Sequence, residues 1–200
     1  GTYELTTPGG KQIKLIQATD YPASGKITIR FEMKAPEDMT LQIRIPEWSG
    51  QTVLNVNGTP HGETAPGAYV NIKRKWSTGD TISLGLDMSG RIAVMGNRHK
   101  YFAVLYGPLV LSRDTRFAGT NIGAAITPVS AKGQHIDLKK VPPGADDIWV
   151  QFEARFEGEN YKEERDPPVT VMLCDYASAG NGAEHSTFQT WMPLIYNGRS

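Results

Sequence analysis

Apolar and polar residues alternate along much of the chain with a period of two, the spacing that sends successive side chains to opposite faces of a strand. Lys26–Met33 shows it most plainly. Ile27, Ile29, Phe31 and Met33 point one way, and Thr28, Arg30 and Glu32 the other. That pattern predicts a half-buried antiparallel strand. Residues 40–45 repeat it with Leu41, Ile43 and Ile45, until Pro46, which has no N–H to give to a ladder, stops it. Val53–Val56 runs into Asn57-Gly58, a pair that accepts the positive φ angles of a type I′ hairpin turn. Residues 69–74 are expected to bury Val70 and Ile72, and residues 81–86 to bury Ile82, Leu84 and Leu86, with Gly79-Asp80 turning the chain between them. With residues 13–17 in front, short strands recur at intervals of roughly a dozen residues, the rhythm of a β-sandwich.

Residues 101–112 break the alternation. They read Tyr-Phe-Ala-Val-Leu-Tyr-Gly-Pro-Leu-Val-Leu-Ser, apolar on both faces, which predicts a strand covered on both sides. Gly107-Pro108 bends its path. We read this run as a buried seam joining two modules, residues 1–97 and 98–200. Residues 117–144 are mostly small, polar, Gly or Pro and are expected to form long loops, with one short strand near Ile126. Order returns at residues 148–156, where Ile148, Val150, Phe152, Ala154 and Phe156 share a face. Strands at 169–173 and 188–191 complete a second antiparallel module. No segment carries a helical period. The expected fold class is all-β, two antiparallel β-sandwich-like modules joined by the seam strand.

Charge narrows the choice of partner. Lys plus Arg and Asp plus Glu are 21 each, so no basic excess is available to neutralise nucleic acid or an anionic membrane. The 21 Gly and 13 Pro, about one residue in six, suit a fold with many tight turns. No apolar run approaches the ~20 residues of a membrane span. No signal-peptide pattern opens the chain, which starts mid-pattern at Gly1-Thr2-Tyr3 and reads as a piece of a longer protein.

Candidate chemistry is sparse. Cys174 is the single cysteine and lies in the run Val171-Met172-Leu173-Cys174, where a thiol behaves as a small buried hydrophobe. Glycosidases use two carboxyls flanking the scissile bond. Glu157, Glu159, Glu163, Glu164 and Asp166 crowd one hydrophilic stretch beside Lys162 and Arg165, which fits a self-compensating surface loop better than a catalytic pair. Their spacing follows no calcium-loop pattern. His61, His99, His135 and His185 stand at no metal-binding spacing, so no metal and no cofactor is expected. Asn57-Gly58-Thr59 matches a glycosylation sequon, but its neighbours mark it as a hairpin turn. The aromatic residues remain. Trp48 and Trp76 sit where strands end and are expected to close the sandwich. Tyr69, Trp149 and Trp191 are the candidates for contact with a ligand or partner, because an indole or phenol face suits the apolar face of a sugar ring. Trp149 lies on the face opposite Ile148 and Val150, and so stands either at a module interface or in solvent.

Four stretches together resemble a known family. Leu41-Gln-Ile-Arg-Ile-Pro-Glu-Trp48, Val56-Asn-Gly58, Lys73-Arg-Lys-Trp-Ser-Thr-Gly-Asp80 and Leu84-Gly-Leu-Asp-Met88 are similar to the region after the barrel in β-L-arabinofuranosidase-like proteins of glycoside hydrolase family 127. The run 102–111 resembles that family's strand leading into its final segment. Asp175-Tyr-Ala-Ser-Ala-Gly-Asn181 and Phe188-Gln-Thr-Trp-Met-Pro193 resemble a C-terminal domain of undefined function in a subset of them. The resemblance implies a glutamate acid/base, a cysteine nucleophile and zinc-binding cysteines on an upstream (α/α)6 barrel. None of these carries over here, since Cys174 does not match the nucleophile's setting. It further implies a non-catalytic accessory region that packs against that barrel, and a secreted or periplasmic location. The alternative from a different class is a carbohydrate-binding module that holds a plant-type polysaccharide through exposed aromatics.

Overall fold

Every regular element among the described residues is a β-strand; the computed structural model describes residues 1–95, 101–117, 121–129, 133–158, 168–182 and 186–194. The chain divides into two compact units, Gly1–Met88 and Ser89–Ser200.

The first unit carries β1 (Thr2–Thr6), β2 (Gln12–Thr19), β3 (Lys26–Met33), β4 (Glu37–Arg44), β5 (Val53–Val56), β6 (Thr59–Pro60), β7 (Tyr69–Trp76) and β8 (Thr81–Gly85). Six of them form an antiparallel sheet in the order β1-β2-β3-β8-β5-β6, and β4 pairs with β7 as a separate two-stranded sheet. The period-two pattern decides which side chains meet. Phe31, Leu54, Val56, Ile72, Trp76 and Ile82 form the core, with Leu15, Ile29, Met39, Leu41, Ile43 and Val70 packed against it. Residues of both sheets therefore share one apolar layer, as in a sandwich. Burying each large side chain contributes roughly 1.5–3 kcal/mol. Trp76 is at its centre, fully buried and stacked on Phe31 at 4.4 Å, with its indole N–H donating to the Met39 carbonyl at 3.2 Å. Trp76 closes the core, as its place at a strand end predicted. β1 escaped the pattern reading because all five of its residues are exposed and it sits at the sheet edge.

The β5–β6 hairpin turns on Asn57 at φ 51° and Gly58 at φ 78°, the left-handed pair that a type I′ turn requires. The Asn57 side chain is committed to the fold. Its oxygen accepts from the Thr81 N–H at 2.7 Å and its amide donates to Asp80 at 2.7 Å.

The second unit carries β9 (Gly90–Val94), β10 (Tyr101–Tyr106), β11 (Leu109–Asp114), β12 (Ile126–Pro128), β13 (Lys139–Val141), β14 (Gln151–Gly158), β15 (Val169–Asp175), β16 (Phe188–Gln189) and β17 (Met192–Pro193). They form one antiparallel sheet along the path β12-β14-β15-β11-β10-β17, with β13 on β14, β16 on β11 and β9 on β10. β9 lies before residue 97, yet it pairs along its whole length with β10. Gly90 begins it because a Cβ there would overlap the Ile136 carbonyl oxygen.

The run 101–112 is a hairpin within this unit. Gly107 at φ 51° lets the chain reverse completely, where sequence alone suggested a bend in a connecting strand. Phe102, Ala103, Val104 and Leu111 are buried, as the doubly apolar pattern requires. Beyond the rung of Val104 and Leu111 the two strands take different partners. β11 goes on to pair with β16, and β10 with β17. The expected single strand at 188–191 is thus two short ones. Ile148, Val150, Phe152, Ala154 and Phe156 are all buried on one face, and Phe152 packs on Tyr106 at 4.5 Å. The expected short strand near Ile126 is β12, while β13, with two exposed lysines, gave no apolar signal.

Candidate functional site

The second unit draws its loops together around two buried carboxylates. Asp175 ends β15 and is 1% exposed. One of its oxygens accepts from the Ser178 N–H at 3.0 Å; the other accepts from the Ser178 hydroxyl at 2.7 Å and the Val150 N–H at 3.1 Å. The Ser178 hydroxyl in turn accepts from the Trp149 N–H at 3.0 Å. The loop after β15 and the strand entry before β14 are thereby tied at three backbone points.

Asp114 ends β11 and is the second hub. It accepts from the Arg116 backbone N–H at 2.9 Å, from Arg116 Nε at 3.0 Å and Nη2 at 2.8 Å, and from the Gly180 N–H at 2.8 Å. Arg116 spans outward to Asp147 at 2.5 Å and to the Ser178 carbonyl at 2.8 Å. Burial pushes the Asp114 carboxyl up, but the Arg116 guanidinium and the two backbone N–H groups outweigh it and hold it below the usual carboxylate range. Asp114 likewise does most to hold Arg116 above its ordinary value. The group is a charge-assisted brace, in which each of these polar contacts is between complementary partners.

Cys174 lies beneath this brace, buried with Ile148 and Ala179. Burial first, then the Asp114 and Asp175 charges, push its thiol up to about 12. A thiol that is not ionised at neutral pH is a poor nucleophile, which agrees with its reading as a small buried hydrophobe.

The aromatic candidates divide between the units. Tyr69 is in the first unit, 62% exposed, with the Arg44 guanidinium 5.5 Å over its ring. Trp149 and Trp191 are in the second, 50% and 41% exposed. Trp149 is turned to solvent within its unit, between Ile148 and Val150, both buried. Trp48 is half-buried. The sequence reading passed over Tyr176 and Phe188, both exposed and packed edge to face at 5.7 Å. The signal was Gly180, at φ 76°, whose missing side chain leaves room for the Phe188 ring.

Of the acidic stretch, Glu159, Glu163, Glu164 and Asp166 lie outside the described residues, as do His99 and His185. Open concavities are lined by described residues in both units. One of about 520 Å³ is lined by Glu4, Lys14, Glu32 and Lys34 in the first unit, and one of about 380 Å³ by Asp137, Lys139, Glu153 and Arg155 in the second. In each, a carboxylate is bound to a cation: Glu32 to Lys14 at 3.6 Å, and Glu153 to Lys139 at 2.9 Å.

Residues 3–88 match the family model described as the middle domain of GH127 β-L-arabinofuranosidase, almost the whole of the first unit. No curated protein matches the chain. Among solved structures, one described as a glycoside hydrolase aligns with a TM-score of 0.79 at 25% identity, over 98% of this chain and 34% of that one. A GH127 β-arabinofuranosidase aligns with a TM-score of 0.80 at 23% identity, over 97% of this chain and 33% of that one. A GH127 β-L-arabinofuranosidase from Geobacillus stearothermophilus T6 aligns with a TM-score of 0.80 at 20% identity, covering 97% and 32%. The chain spans about one third of the length of these structures. Its first unit thus resembles a GH127 middle domain, and the likeness of fold to such proteins runs through both units.

Proposed function

We propose that this chain is a non-catalytic accessory portion of a GH127-type glycoside hydrolase, which packs on and orients an (α/α)6 catalytic barrel carried elsewhere in a longer polypeptide. We place it C-terminal to that barrel. The observation that carries the reading is the match of residues 3–88 to a middle domain, combined with a likeness of fold that covers nearly all of this chain but only a third of each solved relative. A domain of that kind supports its neighbour by burying apolar surface and fixing geometry, so its own side chains need supply no acid or nucleophile.

The test compares the 200-residue chain with the product of the complete gene that encodes it. The longer protein is expected to hydrolyse an aryl β-L-arabinofuranoside, and the 200-residue chain to be inert. Hydrolysis by the short chain, or a gene without a helical barrel region, would sink the proposal. A second reading, glycan binding, is favoured by the half-exposed indole of Trp149.

A further inference from the structure

The motif at residues 175–181 is bonded to the backbone that carries one exposed ring, Trp149, and an accessory role does not account for that ring. We propose that Trp149 is a stacking platform for a neutral sugar residue of a glycan, with the Asp147 carboxylate supplying hydrogen bonds and the buried brace holding both in place.

Rigidity is the first argument. Trp149 is 50% exposed, while Ile148 on one side is 4% and Val150 on the other 1%. Folding the indole inward would pull both neighbours out of the core. The N–H groups of Trp149 and Val150 are also bound, to the Ser178 hydroxyl and to Asp175. The ring is therefore presented by a fixed backbone, and a platform fixed in advance loses little entropy when a ligand settles on it.

Charge selects the ligand. Arg116 is 17% exposed on its side chain and is shared between Asp114, which is fully buried, and Asp147, which is 41% exposed. One cation between two carboxylates leaves a negative sum, to which exposed Asp146 adds. An anionic ligand is repelled, and a nucleic acid with it. One Asp147 oxygen takes the bond from Arg116 Nη1, which leaves the other to accept from a hydroxyl. An exposed apolar ring, with an exposed carboxylate acceptor two residues before it in the chain, matches the C–H face and hydroxyl rim of an uncharged furanose or pyranose.

The test is electrophoresis of the 200-residue chain through native gels containing branched arabinan, arabinogalactan or hydroxyethylcellulose, with polygalacturonate as the anionic comparison. Retardation is expected in at least one neutral polysaccharide and not in polygalacturonate. Trp149→Ala is expected to weaken it at least tenfold, Trp149→Phe to recover part, and Asp147→Asn to weaken it about threefold. Tyr69→Ala is expected to leave it unchanged. Near-UV circular dichroism confirms that each variant keeps its fold. No retardation in any neutral gel, retardation in polygalacturonate alone, or full retardation of Trp149→Ala would overturn the proposal. So would loss of acrylamide quenching of Trp149 in the longer protein, which would show the ring covered by protein instead. Retardation is read on the 200-residue chain and hydrolysis on the longer protein, so the two readouts are independent. Failure here therefore leaves the accessory reading standing, and hydrolysis by the short chain defeats that reading without touching this one.

Discussion

The two units differ in what they bury. Among the described residues of Gly1–Met88, the buried polar side chains are Thr7 and Ser49; in Ser89–Ser200 they are Ser112, Arg113, Asp114, Gln151, Asp175 and Ser178. The first unit closes two sheets over an apolar layer, held by the hydrophobic effect, which has no preferred direction. The second adds directional bonds, each demanding a partner at a set distance and angle. An apolar layer holds strands together. A buried polar brace fixes where a loop points. That is why the exposed ring with a rigid backbone, Trp149, is found on the second unit.

The comparison breaks most sharply at the centre of each device. Trp76→Ala removes a fully buried indole stacked on Phe31 and is expected to cost about 3–5 kcal/mol. Urea denaturation, followed by hydrogen exchange in β3, should show the loss in the first unit. Asp114→Ala takes from the Arg116 guanidinium the buried one of its two carboxylates, and from the Gly180 N–H its acceptor, and is expected to cost a similar ~3–5 kcal/mol. Here the lost protection should fall on β11 and residues 175–181. Equal losses spread over both units in either variant would refute the division of labour.

Acid sharpens it further. The Asp114 carboxyl titrates below its unfolded value of about 3.9, so its stabilisation is fully present above that pH and is lost as pH falls through the folded value. The second unit should lose stability below about pH 4, and Asp114→Asn should flatten that part of the profile. An unchanged slope in the variant would show that Asp114 does not carry the acid sensitivity.

A smaller effect is expected at the first unit's hairpin. Asn57→Ala removes two hydrogen bonds and puts at φ 51° a residue without the short polar side chain that lets Asn adopt the left-handed region, for a loss of about 1–3 kcal/mol. Thermal melting measures it, and a shift below a degree would mean that the turn is not limiting. Least affected is Cys174, whose thiol is expected to resist Ellman's reagent at pH 8 in the native chain and to react fully in guanidinium.

Strand positions were legible wherever one face was apolar and the other polar. Lys26–Met33 and the buried face of residues 148–156 show it, and Asn57-Gly58 announced its own turn. β1 and β13 were not legible, because an exposed edge strand has no buried face to advertise. Period two alone put Trp149 on the face opposite Ile148 and Val150, without choosing between a module interface and solvent. What braces it was not legible, since Asp114, Asp147 and Asp175 are far apart in sequence and each reads locally as a loop residue.

Alternation by itself determined that this chain folds as antiparallel sheets, because a period of two can bury one face only in a strand. It put Trp149 on the face opposite Ile148 and Val150, while a place at a strand end marked Trp76 as closing the sandwich. Only the tertiary structure decided that the run at 101–112 doubles back as a hairpin, which strands flank it, and which distant carboxylates meet at Arg116. Those outcomes depend on long-range register and on directional bonds between distant segments, such as Asp114 and Gly180, 66 residues apart, and no local pattern of hydrophobicity encodes them.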